Sequence, residues 1–123
     1  MSSATAEHDN ETLEASWESV CQVDDLVRGS GVCVLFNYRQ VALFYVGKPP
    51  VVHAIGNFDP FSKANVLSRG IVGSMKDTLV VASPIFKQHF SLETGTCLED
   101  ASVQVQVYQA RIAGNQVQLL KDS

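Results

Sequence analysis

Three cysteines and three histidines carry the strongest chemistry in this sequence, and the spacing of Cys21, Cys33, Cys97, His53 and His89 argues against metal binding. Cys21, Cys33 and Cys97 are odd in number, far apart and without a C-x-x-C pair. That pattern fits reduced thiols, each a small core or edge residue, over a disulfide framework. His53 lies inside the apolar run VVHAI and reads as a structural residue. His89 follows Lys87-Gln88 on an expected strand, with no Cys or His close by to complete a ligand set. Two irregular segments stand out instead. Gly56-Asn57-Phe58-Asp59-Pro60-Phe61 leaves one strand, and Ser83-Pro84-Ile85-Phe86-Lys87-Gln88-His89-Phe90 leads into another.

The elements that must hold these loops read as strands. GVCVLF, QVALFYV and VVHAI are β-branched and aromatic runs separated by Asn37 to Arg39 and by Gly47 to Pro50, the pattern of a three-stranded meander. VALFYV is apolar on both parities, which places it centrally. LVVAS and KQHFSL flank Ser83-Pro84, and Glu93-Thr94-Gly95 closes the next turn. VQVQVY alternates, with Val103, Val105 and Val107 on one face, and QVQLL repeats the alternation. Gly114-Asn115 between them tolerates the positive φ of a tight hairpin, so the last twenty residues are expected to form a β-ribbon. No window shows a sustained helical period, apart from a single turn expected near Val23 to Leu26. The fold class is all-β.

At 123 residues and 46% hydrophobic composition, the chain fits one domain with a single core. Residues 1–15, MSSATAEHDNETLEA, hold one leucine, four acids and no Lys or Arg, and are expected to stay disordered. Of 13 acids in the chain these four fall outside the body, leaving nine against nine Lys and Arg. A neutral body lacks the basic surplus of a nucleic-acid binder. From Leu26 to Leu92 seven bases face two acids, a distribution suited to an acidic protein partner. There is no basic start followed by an apolar run to form a secretory signal, and no apolar stretch long enough to cross a bilayer, so neither export nor membrane insertion is expected.

In order along the chain, VVHAIGNFDPFSKANVLSRGIV, VVASPIFKQHFSLETGTCLED and VYQARIAGNQVQLL resemble a Rieske ferredoxin domain read from first cluster loop to last hairpin. In Rieske proteins the first loop carries C-x-H and the second C-x-x-H, followed by a strand and an E/R-T-G turn. Two thiolates hold one iron and two imidazoles the other. On this resemblance Asn57 and Asp59 stand at the first Cys and His, and Ser83 and Phe86 at the second pair. All four are degenerate cluster-ligand positions. N-F-D-P-F, V-L-S-R-G and S-P-x-x-K-Q-H-F-S-L narrow the resemblance to the small subunit of NADH-dependent nitrite reductase, the NirD family, from Trp17 to Leu120. The stretch from Pro60 to Ala82 is longer than the usual gap between Rieske ligand pairs, which leaves the alignment open around Ser74 to Thr78.

The resemblance implies a Rieske-like antiparallel β-sandwich or barrel over residues 16–123, with two cluster-site loops. It implies a cytoplasmic accessory subunit with no catalytic residue, metal or [2Fe-2S] cluster of its own. Its partner would be a large subunit carrying FAD, sirohaem and an iron–sulfur centre, which takes electrons from NADH and reduces nitrite to ammonium. In place of a cluster, the loops are expected to be held by Phe58, Phe61 and Phe86 packing between the tips, each burial worth about 1.5–3 kcal/mol. Pro60 and Pro84 add local stiffness, and Asp59 would accept backbone N–H bonds or pair with Lys63, Arg69 or Lys87. Phe61, Arg69, Lys87 and His89 are the expected partner contacts. Two other classes stay open: a ferredoxin-like electron carrier with a displaced cluster drawing on Cys97, Cys21 or His89, and a stand-alone β interaction module.

Overall fold

A computed structural model describes residues 16–121, and the acidic segment 1–15 lies outside these described residues. Twelve strands follow one another: β1 (Trp17–Gln22), β2 (Gly31–Phe36), β3 (Arg39–Val46), β4 (Val51–Gly56), β5 (Phe58–Asp59), β6 (Ala64–Asn65), β7 (Ile71–Met75), β8 (Thr78–Ala82), β9 (His89–Ser91), β10 (Val107–Tyr108), β11 (Ala110–Ala113) and β12 (Gln116–Leu120). Single 3-10 turns at Val23–Asp25 and Leu67–Arg69 are the helical elements among the described residues. The first of these is the turn expected near Val23.

A four-stranded antiparallel sheet in the order β10-β4-β3-β2 forms the middle layer. Because successive side chains of a strand point to opposite faces, the doubly apolar β3 serves two cores at once. Val41 and Leu43 pack with Phe36, Ala54, Val117 and Leu119 towards the sheet β1-β12-β11. Ala42, Phe44 and Val46 pack with Ile55, Leu67, Val81, Phe90 and Leu92 towards the sheet β7-β8-β9. The central placement expected for VALFYV is therefore observed, and the expected single core is split in two by the middle sheet.

Three strand expectations need correction. VQVQVY is strand only at Val107–Tyr108; Val103 and Val105 do pack on a core, but Val107 is exposed. The segment hands over from an isolated bridge, Thr96 to Gln104, to pairing with β4, and a uniform strand cannot serve both. Gly114-Asn115 is the expected tight turn, yet the strand entering it is Ala110–Ala113, with Ala113 opposite Gln116. KQHFSL is strand only from His89 to Ser91, because Lys87 and Gln88 still belong to the preceding loop. The extra length before Ala82 is the hairpin β7–β8, turning at Lys76 and Asp77, both at positive φ.

Candidate functional site

Both irregular segments are closed loops built on one plan. In Asp59-Pro60-Phe61-Ser62-Lys63, the Lys63 N–H donates to the Asp59 carbonyl at 2.7 Å, and the Phe61 N–H donates to Asp59 Oδ1 at 2.9 Å. In Ser83-Pro84-Ile85-Phe86-Lys87, the Lys87 N–H donates to the Ser83 carbonyl at 3.1 Å, and the Ile85 N–H to Ser83 Oγ at 3.3 Å. Each loop thus begins with a side-chain oxygen that mimics a backbone turn, continues through proline and ends on a lysine at positive φ, 59° at Lys63 and 68° at Lys87. The leading residues of the two loops then meet: Ser83 Oγ donates to Asp59 Oδ2 at 2.5 Å. Ser62 Oγ adds a further bond to the same oxygen at 3.0 Å.

Asp59 and Ser83 are fully buried at this junction, and Asn57 nearly so. A buried carboxylate is costly unless its lone pairs are filled. Here two hydroxyls and a main-chain N–H fill them, and Lys63, Arg69 and Lys87 make no ion pair with it among the described residues. Burial pushes the Asp59 carboxyl up, but the bonds from Ser83, Phe61 and Ser62 outweigh it and hold the group below its ordinary range. Stability from this carboxylate is therefore complete above the unfolded value of about 3.9 and is lost as pH falls through the lower folded value. Denaturant unfolding from pH 5 down to pH 2 should show a loss that is shallower in Asp59→Asn; equal slopes in the two proteins would contradict the assignment.

Asn57 locks the start of the first loop. Its Nδ2 donates to Gln40 Oε1 at 2.9 Å and lies 3.5 Å from Cys33 Sγ, while Oδ1 accepts the Ser68 N–H at 2.6 Å. Phe86, the fourth position expected from the resemblance, is exposed. These four residues do not fit a two-iron cluster. The three polar ones are engaged in hydrogen bonds, Asp59 with Ser83, Ser62 and the Phe61 N–H, Ser83 also with the Ile85 N–H, and Asn57 with Gln40 and the Ser68 N–H; none offers sulfur or imidazole, and Phe86 offers no donor.

Of the expected loop-packing rings, only Phe61 is turned inward, with its centroid 6.2 Å from that of Phe90; Phe58 and Phe86 face solvent. Among the expected contacts, Arg69 and Lys87 are exposed, Phe61 is half-buried, and His89 is tied through Nδ1 to Glu99 Oε2 at 2.6 Å. Glu99 Oε1 also accepts the His89 N–H at 2.8 Å and lies 3.6 Å from Cys97 Sγ. Burial raises Glu99, but the bonds from His89 prevail and lower it, while burial pushes the Cys97 thiol up. Cys21 sits apart, on β1 opposite Val117. Among the described residues, no group of three His, Cys, Asp or Glu side chains could hold a metal ion. His53, read as structural, lies in β4 with its Nε2 unpartnered, and burial lowers its pKa. Gln40, Ser62 and Ser68 do not stand out in the sequence; the D-P-x-S spacing is the signal for Ser62, whereas Gln40 and Ser68 arrive from other elements.

Residues 16–120 match the family described as a Rieske-like [2Fe-2S] domain. The nitrite reductase (NADH) small subunit of Salmonella typhimurium is 44% identical over 105 residues, spanning 85% of this chain and 97% of that protein. The solution structure of NirD from E. coli is similar at a TM-score of 0.79 and 42% identity, covering 87% of this chain and 97% of the other. A nitrite reductase [NAD(P)H] large subunit of Klebsiella oxytoca is 32% identical over 101 residues, which are 82% of this chain and 10% of that one.

Proposed function

The chain belongs to the nitrite reductase (NADH) small subunit family, and we propose on that footing that it is the accessory subunit of a cytoplasmic NADH-dependent nitrite reductase, docking on the large subunit without redox chemistry of its own. Large-subunit FAD, sirohaem and iron–sulfur groups would carry the electrons from NADH to nitrite, and this chain would assemble, stabilise or orient that subunit. The observation that carries the reading is the Asp59–Ser83 bond, which joins the two loops directly through two residues that the resemblance aligns with cluster ligands. The Klebsiella protein supports the partner, since there a stretch similar to this chain is part of a large subunit. On this reading a separate chain of the same fold meets the large subunit in trans.

Two measurements test this. The large subunit's NADH-dependent nitrite reduction and thermal stability should both fall when this chain is withheld and recover when it is added back; unchanged values would remove the accessory role. Protein purified without oxygen should contain no stoichiometric iron or acid-labile sulfide. Finding both, with a visible absorption band, would restore the electron-carrier reading.

A further inference from the structure

The hairpin turn between β2 and β3 is stereochemically expensive at one residue. Phe36 pairs with Arg39, leaving Asn37 and Tyr38 as a two-residue loop with φ of 55° and 64°. Asn suits the first position, but the second ordinarily takes glycine, and a bulky side chain there is strained. This sequence places tyrosine at it, with the residue 96% exposed. Tyr38 and Leu35, which is 68% exposed, form a ridge between two hollows. On one side lies a groove of about 400 Å³, walled by Phe58 and Tyr108 and floored by Gly56 and Asn57. Arg39 is its single charged lining residue. The hollow on the other side holds Glu18 and Lys121, paired with each other at 3.6 Å.

We propose that this ridge and groove are the surface on which the large subunit seats a segment presenting an apolar side chain beside a carboxylate. The inference rests on the accessory-subunit reading for the identity of the partner and goes beyond it in naming the surface. The groove offers apolar and aromatic walls, amide hydrogen-bonding groups on Gln40, Asn65 and Gln106, and one cation without an acid in the lining. Charge complementarity therefore calls for an acidic group entering alongside an apolar one. Tyr and Arg are the residue types that dominate interface energetics when water is excluded around them. The Tyr38 side chain, at the tip of the turn, lies outside the domain's own cores, so its apolar area is open to a partner.

Binding of the purified large subunit is measured for the wild-type chain and for Tyr38→Gly, Arg39→Glu and Val51→Ser. Val51 is the control: it pairs with Val46, at the end of β3 remote from Arg39. Tyr38→Gly and Arg39→Glu should each weaken binding by about tenfold or more, and Val51→Ser should leave it unchanged. The Arg39→Glu loss should shrink as salt rises. Thermal unfolding of Tyr38→Gly separates contact from folding, because relief of the positive φ keeps that variant at least as stable as wild type while its binding falls. Wild-type affinity in both groove variants would overturn the surface and leave the accessory role standing. Loss of self-association in sedimentation, with large-subunit binding intact, would assign the ridge to a second copy of this chain and overturn the proposal too. Failure of the wild-type chain to bind the large subunit would bring down the accessory reading and this inference together.

Discussion

Replacing Asp59 by alanine should cost the domain about 3–5 kcal/mol, a large fraction of what a domain of this size possesses. The carboxylate accepts from Ser83 Oγ, Ser62 Oγ and the Phe61 N–H, so its removal leaves three donors around one buried site without an acceptor. Each fully unsatisfied donor costs about 1–3 kcal/mol, less for Ser62, which is only half-buried and can turn to water. Ser83→Ala removes one donor to Asp59 and the acceptor of the Ile85 N–H, and should cost about 1–3 kcal/mol. The two substitutions share one bond, so the double variant should be less destabilised than the sum of the single ones by about 1.5–3 kcal/mol, the range for a hydrogen bond to a charged group. Equilibrium urea unfolding of the four proteins supplies the cycle. Additive effects would mean that the loops are fixed independently and that the 2.5 Å bond joins them in appearance only.

That bond sets the two loops against each other directly; metal ligation in structural zinc sites, by comparison, contributes on the order of 10 kcal/mol to folding. A hydrogen bond is weaker, and each loop is in addition closed by turn bonds of its own. The paired turns at Asp59 to Lys63 and Ser83 to Lys87 satisfy their own main-chain groups. The Asp59–Ser83 bond joins the two closed turns.

Strand content and the loop positions are legible in the sequence because both rest on local pattern. The doubly apolar run in β3 announces a strand covered on both faces, and it is. What escapes such a reading depends on distant partners. Ile71–Met75 contains Gly73 and Ser74 and has little intrinsic strand character; it is recruited by β8 through a tight turn whose residues, Lys76 and Asp77, carry no glycine signal. The aromatic residues of the first loop depart from expectation for a related reason. Phe58 and Asp59 are neighbours on the short strand β5, and alternation sends one in and the other out. Hydrophobicity alone places Phe58 inside. The hydrogen bonds converging on Asp59 reverse the choice, and the Ser83 donor comes from a second loop 24 residues away in sequence.

Gly95→Ala should be nearly as damaging, at about 3 kcal/mol or more, which for a domain of this size lowers the melting temperature by about 10 °C or more. Gly95 closes the E-T-G turn at a φ of 76°, with its N–H donating to the Ser91 carbonyl at 2.8 Å. Ser91 Oγ accepts the N–H groups of Glu93 and Thr94 at 3.2 and 3.1 Å, which fixes the turn from inside. Positive φ alone costs a non-glycine residue about 1 kcal/mol. Steric overlap costs more: a Cβ here would run into the Val105 carbonyl oxygen and come within 2.9 Å of Val107 Cγ2. That carbonyl is main chain and cannot rotate away, and Val105 N–H donates to the Gly95 carbonyl at 2.9 Å, so moving the segment also breaks a bond. Gly114→Ala is the matched control, since Gly114 has a φ of 63° and open space around it; it should show the backbone cost alone. Equal losses at the two glycines would refute the close approach. A larger loss at Gly95 would mean that the E-T-G turn is required by packing of the 103–105 segment against it, a demand the fold makes whether or not any cluster is held at the neighbouring loops.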